Sequence, residues 1–140
     1  MQVREVMTPL VTTVRPDSPL VEIARIMREE DIGSVPVTDN EQLLGMVTDR
    51  DIVIRGLVAG HDVLDRKVAD VMSPDVRCCT ADDDVDEVLR DMGDQQVRRL
   101  PVVDGSQRLV GIVSLGDLSS EANPQAAGKS LKDISQPTGN

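Results

Sequence analysis

The chain carries the same set of short blocks twice, in the same order. Val6-Met7-Thr8-Pro9 returns as Val71-Met72-Ser73-Pro74, and Ile32-Gly33-Ser34-Val35-Pro36-Val37 returns as Val97-Arg98-Arg99-Leu100-Pro101-Val102, each 65 positions on. Gly45-Met46-Val47-Thr48-Asp49-Arg50-Asp51 then comes back as Gly111-Ile112-Val113-Ser114-Leu115-Gly116-Asp117 at 66 positions, so one residue has entered a turn between the last two blocks. Solenoid repeats run to about 20 to 50 residues and need several copies, so this is a tandem pair and not an open array. In a chain of 140 residues each copy is near the smallest size that encloses a core, which predicts one core shared by the two halves.

Each copy reads as the same succession of elements. Val3, Val6 and Met7, with Val68, Val71 and Met72 as counterparts, give a short helical turn that ends at Pro9 or Pro74. Extended segments follow at 11–14 and 76–80. Leu20, Ile23, Ala24 and Met27 then fall at i, i+3, i+4 and i+7, and Val85, Val88, Leu89 and Met92 repeat that helical stripe. Ser18 as N-cap with Pro19 as the first helical residue, and Asp82 to Asp84 in the second copy, supply the start signals. Two apolar runs rich in β-branched residues come next, 35–38 and 43–48 around Asp39-Asn40-Glu41, and 100–103 and 109–114 around Asp104-Gly105-Ser106. These predict hairpins of strands buried on both faces, each leading into a further helix at Asp49 or Leu115. The expected boundaries are a first repeat over 1–60, a connector over 61–66 containing His61 and Asp62, a second repeat over 67–120, and a mobile tail over 121–140 with a short dock at 130–134.

Composition removes several function classes. A net charge of −10 leaves no general excess of Lys and Arg for coating nucleic acid. With no Phe, Tyr or Trp, any bound ring is sandwiched by aliphatic side chains. Only Lys67, Lys129 and Lys132 among the fifteen basic residues are lysines, so the cations are mostly guanidiniums, which grip phosphate or carboxylate in a bidentate fork. Cys78 and Cys79 are adjacent and form no disulfide framework, and with the lone His61 they do not make a four-ligand metal set. No basic-then-apolar leader and no apolar run of about 18 residues is found, so the expectation is a soluble, cytoplasmic protein without a membrane partner. Neither a nucleophile with its base nor a Gly-rich phosphate loop is present, which argues against an enzyme.

The chemistry-bearing signal is Gly45-x-x-Thr48-x-x-Asp51 with its partner Gly111-x-x-Ser114-x-x-Asp117. In each, a buried strand ends at a hydroxyl residue that opens a helix, and the acid stands one turn further on. A hydroxyl at a helix start favours phosphate, and a carboxylate accepts from adjacent ribose hydroxyls, so the pattern suits a nucleotide. A capping box has the same spacing. Either motif alone is equally well read as a cap, while two in register within a duplication favour binding. Arg50, Arg98 and Arg99 lie beside these motifs as candidate phosphate forks, or as members of surface ion pairs.

These blocks resemble a tandem pair of cystathionine β-synthase (CBS) domains, a Bateman module, over roughly residues 1 to 120. Residues 48–57 are further similar to small CBS pairs of the hypoxic response protein type. The resemblance implies an α/β (α+β) fold of two β-α-β-β-α repeats packed with pseudo-twofold symmetry, two clefts between the halves, a homodimer, and an adenosine ligand such as AMP, ADP, ATP or S-adenosylmethionine. It implies that Asp51 and Asp117 hold riboses, that Thr48 and Ser114 sit by ribose or phosphate, and that Arg98 and Arg99 face phosphates. Thr8, Thr12, Ile32, Gly33 and Ser34 would frame the adenine of the cleft served by Asp117, and Ser73, Val76, Val97 and Arg98 would help form the cleft served by Asp51. Leu115-Gly116 stands where the first copy has Asp49-Arg50, so the clefts are chemically unequal. The implied function is a regulatory sensor that passes its state to an effector protein. The rival is an interaction protein whose clefts stay empty and whose dimer faces dock a partner.

Overall fold

The computed structural model describes residues 1–9, 11–58, 63–74, 76–121 and 124–135. It divides into two compact units, one continuous over Thr12–Val76 and one assembled from Met1–Val11 and Arg77–Asn140. His61 and Asp62 of the expected connector and the last five residues of the expected tail lie outside the described residues.

The continuous unit contains α1 (Leu20–Glu30), β1 (Ser34–Asp39), β2 (Gln42–Thr48), α2 (Asp49–Asp51) and β3 (Ser73–Pro74). α2 runs on into a π-helical segment, Ile52–Leu57, and short 3-10 turns stand at Val63–Asp65 and Val68–Asp70. β1, β2 and β3 form an antiparallel sheet in that order, and Val14 bridges in parallel to Val37 on the far edge of β1. Pro36 can sit inside β1 because its carbonyl faces that edge, accepting from Val14, so its missing N–H takes no bond away from β2.

The other unit holds a 3-10 turn at Val3–Glu5, then β4 (Cys79–Thr80), α3 (Val85–Gln95), β5 (Arg99–Val103), β6 (Leu109–Ser114), α4 (Leu115–Ser119) and α5 (Pro124–Ser135). Its sheet runs β4-β5-β6, with β4 parallel to β5, and Thr8 exchanges two backbone hydrogen bonds with Ile112 at 2.8 and 3.0 Å on the outer edge of β6. The two sheets are the same sheet built twice. Each hairpin has one irregularity at the same place, between Val37 and Thr38 or between Val102 and Val103. The extra residue of the second copy falls in its turn. Asn40 and Glu41, both left-handed at φ 50° and 68°, close the first hairpin in two residues, whereas Gln107 alone is left-handed (φ 64°) in the longer second loop.

Two hydrophobic clusters form, one per unit, in place of the single shared core expected from chain length. One gathers Leu20, Ile23 and Met27 of α1, Val35, Val37 and Val47 of the sheet, and Val68 and Val71. The other gathers Val85, Val88, Leu89 and Met92 of α3, Leu100, Val102 and Val113 of the sheet, and Val3. The physical reason is an exchange of leading segments. Val3 heads the first repeat in sequence but completes the cluster of the second, while Val68 and Val71 head the second and complete the cluster of the first. Each unit thereby closes a core of its own.

Local departures are small. Ala24 is exposed, and Ile26 packs on the cluster in its stead. Pro19, not Ser18, occupies the N-cap position of α1, and it offers no side-chain acceptor. Ser18 Oγ instead accepts from the Arg15 N–H at 3.1 Å. Asp84 does cap α3, accepting from the N–H groups of Asp86 and Glu87. Past Ser120, where the sequence predicts a tail with a dock at 130–134, the described residues include the twelve-residue helix α5. It packs on α3, with Ile134 against the core cluster. Among the described residues no helix is long and apolar enough to cross a membrane.

Candidate functional site

In both units the strand that leaves the hairpin ends on a hydroxyl residue that caps the next helix. Thr48 Oγ1 accepts from the Asp51 N–H at 3.0 Å, and Asp51 Oδ2 accepts from the Thr48 N–H at 3.0 Å, a reciprocal capping box. Ser114 Oγ likewise accepts from the Asp117 N–H at 3.1 Å, but no group among the described residues donates to the Asp117 carboxylate. The two copies of the motif therefore hold their acids in different states. Asp51 is committed to its helix start and half-buried, while Asp117 is exposed with both oxygens open.

A second matched contact fixes the strand before each hairpin against the same helix start. The Asp49 N–H donates to the Gly33 carbonyl at 3.0 Å, and the Leu115 N–H donates to the Arg98 carbonyl at 2.8 Å. β1 and β5 then begin opposite the hydroxyl residues, with Ser34 paired to Thr48 and Arg99 paired to Ser114. This register brings Arg98 and Arg99 to the same end of the sheet as Ser114. Together they line a cleft of about 580 Å³ whose other walls include Ser119 of α4 and Gly128 and Leu131 of α5. Among the described residues neither guanidinium belongs to an ion pair, although the chain has 25 acidic residues to 15 basic ones.

The predicted residues divide between the units. Thr8, Val97, Arg98, Arg99, Ser114 and Asp117 belong to the discontinuous one, and Thr12, Ile32, Gly33, Ser34, Thr48, Arg50, Asp51, Ser73 and Val76 to the continuous one. Ile32 and Val97 pack against their own core clusters. Thr12 is tied up, its Oγ1 donating to Glu30 Oε1 at 2.8 Å. Ser34 Oγ is buried and has no hydrogen-bond partner among the described residues, a costly state that a polar ligand atom would relieve. Gly33 leaves little room on its open side, since a first side-chain carbon would stand 3.3 Å from Asp49 Oδ2. The Arg50 N–H donates to Asp49 Oδ1 at 2.8 Å, which aligns the start of α2. Thr8 and Ser73 serve as edge partners of β6 and β2.

Ser119, Gly128 and Leu131 line the cleft without having been predicted. Leu131 and Ile134 are the only large apolar residues of this helix, and one of them packs on the core, so its sequence gives little sign that it forms a wall. The cysteines are remote from this chemistry. Cys79 is buried, donates weakly to the Pro101 carbonyl at 3.8 Å, and has its thiol pushed up to about 12, first by burial and then by the charge of Asp83. Burial also raises the half-exposed Cys78. Among the described residues no three His, Cys, Asp or Glu side chains gather as a metal site.

The model of the CBS domain matches this chain twice, over residues 3–57 and 68–123. Hypoxic response protein 1 of Mycobacterium tuberculosis is 38% identical over 135 residues, covering 96% of this chain and 94% of the relative. The crystal structure of Hypoxic Response Protein I with two coordinated zinc ions superposes with a TM-score of 0.79 at 38% identity, over 88% of this chain and all of that one. Two further neighbours were solved with adenosine compounds. CBSX2 in complex with AMP gives a TM-score of 0.75 at 25% identity, over 85% of this chain and 93% of that one. The CBS domain pair of MJ0100, in complex with 5′-methylthioadenosine and S-adenosyl-L-methionine, gives 0.74 at 26%, over 86% and 94%.

Proposed function

The chain belongs to the CBS domain family, and from that membership we propose that it is a regulatory module that binds an adenosine nucleotide. The observation that carries this reading is the Asp117 carboxylate. Its backbone is held by Ser114 one turn into α4, and among the described residues it receives no donor and shares its unit with two arginines that join no ion pair. A vicinal ribose diol offers two O–H donors to one carboxylate, and Arg98 and Arg99 offer planar forks to phosphate oxygens. The AMP complex of one structural neighbour and the S-adenosylmethionine complex of another support an adenosine ligand.

Binding at Asp51 requires more. Its Oδ2 already accepts from Thr48, so a ribose there uses Oδ1 or displaces the cap. The unequal acids thus favour one working cleft over two. Occupancy shifts the module between arrangements only by the ligand's difference in affinity for them, and this regulates an effector protein without chemistry on the ligand.

Isothermal calorimetry against AMP, ADP, ATP and S-adenosylmethionine, with Asp117→Ala and Asp51→Ala alongside, tests this. Saturable binding that Asp117→Ala weakens by about 10- to 100-fold is expected, the worth of one or two hydrogen bonds to a charged group. Absence of heat with all four ligands would sink the nucleotide reading. It would favour the second reading, an interaction protein in which an apolar face is covered by another copy of the chain. Val53, Ile54 and Leu57 of the π-helical segment and Val58 just after it, each about half exposed or more, are the observation behind that alternative.

A further inference from the structure

The cleft beside Arg98 and Arg99 has a wall without a counterpart among the described residues of the other unit. Where the Thr48 helix is followed by a three-residue turn at Val63–Asp65, the Ser114 helix is followed by the twelve-residue α5. α5 is fastened near its C-terminal end. Ile134 packs on the core cluster, and Gln96 Nε2 donates to the Asp133 carbonyl at 3.1 Å. One to two turns earlier it forms the cleft wall through Gly128 and Leu131. That stretch is open-faced. A first side-chain carbon on Gly128 would meet nothing within 4 Å, and Leu131 keeps 52% of its surface exposed. Gly128 and Leu131 share the lining of a space of about 580 Å³ with Arg98, Arg99, Ser114 and Ser119. The space is within the range of small-molecule sites, about 300 to 1,000 Å³.

We infer that α5 is a strap over the phosphate end of a ligand held at Arg98, Arg99 and Ser114, so that occupancy of the cleft and docking of α5 stabilise each other. The inference rests on the nucleotide reading and adds to it a ligand class and a moving part. The phosphate is the group that Arg98 and Arg99 recognise, and the less polar remainder of the ligand covers Leu131. A phosphate-bearing nucleotide engages the strap. S-adenosylmethionine, which has no phosphate, leaves it as it was. Coupling is reciprocal, so whatever the ligand adds to the protection of α5, the docked helix returns as affinity.

The test is hydrogen exchange by mass spectrometry on the full chain, with and without AMP, ATP or S-adenosylmethionine, beside calorimetry of the same samples. Exchange of the α5 amides is expected to slow about tenfold with AMP or ATP and to stay unchanged with S-adenosylmethionine, a coupling of ordinary size. Gly128→Leu fills the cleft from open space. It is expected to weaken AMP binding about tenfold with the circular dichroism and melting temperature of the parent, by the same coupling. Gly105→Ala, outside the cleft and with nothing within 4 Å of its added carbon, is expected to bind as the parent does. Saturable binding with no change in α5 exchange overturns the strap and leaves the nucleotide reading in place. Equal slowing with S-adenosylmethionine overturns the phosphate assignment. No binding by any of the three overturns both.

Discussion

The carbonyl oxygen of Thr8 stands 2.8 Å from where a first side-chain carbon on Gly111 would be. The carbonyl of Ser73 stands closer still to the same position on Gly45, so the one relationship is built twice. Glycine is required at both sites because an edge segment lies directly on the strand. Gly111→Ala and Gly45→Ala should each push that segment off its sheet and cost about 2 kcal/mol or more in urea unfolding, within the range of strained or overpacked sites. Gly105→Ala, whose new carbon meets nothing within 4 Å, should stay within about 0.5 kcal/mol of the parent. A small effect at Gly111 would mean that the Thr8 segment is dispensable to the fold.

Asp51 and Asp117 should separate stability from binding. Asp51 receives the Thr48 N–H, so Asp51→Ala should lower the unfolding free energy by about 1 kcal/mol, the usual worth of a capping interaction. Asp117→Ala removes no such bond and should leave stability unchanged while it weakens nucleotide binding. Equal destabilisation by the two variants would return both acids to a purely structural role.

The two cysteines should differ sharply in reactivity. At about pH 8 a thiol reagent should modify Cys78 first and reach Cys79 only as fast as the chain unfolds, since the thiolate is the reacting form. Above the ordinary thiol value of 9.0, an unfolded chain releases the Cys79 proton that the folded chain keeps up to about 12. Stability present below that window is therefore lost as pH rises through it. Urea midpoints at about pH 8 and about pH 10 should fall further in the parent than in Cys79→Ala. Equal falls would show that Cys79 does not set this dependence.

Asp31 ends α1 in the left-handed conformation at φ 54°, with the Ile32 N–H donating back to the Met27 carbonyl at 3.1 Å. That closing turn suits glycine better than any L-residue. Asp31→Gly should stabilise the chain by about 0.5 to 1 kcal/mol in thermal or urea unfolding. A loss of stability would mean that the aspartate side chain has a partner in the folded state.

Much of this architecture is legible in the order of the residues, because its determinants are local. The stripes at Leu20, Ile23 and Met27 and at Val85, Val88, Leu89 and Met92 become buried helix faces, and the runs around Asp39 and Asp104 become hairpins. Thr48 and Ser114 fall at helix starts as their spacing predicts. What periodicity does not carry is choice of partner. Val3 and Val68 lead equivalent turns, so nothing in either neighbourhood says which of two similar clusters it joins. The difference between Asp51 and Asp117 is hidden for the same reason. Both have the spacing of a capping box, and only the side-chain geometry shows that one reciprocates and the other does not.

The exchanged leading segments also set a timetable. One unit is a continuous stretch, 12–76, and every contact its core needs is available once that stretch has left the ribosome. The other joins 1–11 to 77–140, so the earlier segment must wait for the later one. Val3 is thus held in reserve while its neighbours in sequence fold without it. A fragment spanning 12–76 should show the far-UV dichroism and cooperative melting of a folded unit, whereas 77–140 alone should not until a peptide of residues 1–11 is added. Equal folding of both fragments would remove the delay. As built, residues 1–11 are a piece that residues 77–140 cannot close their core without.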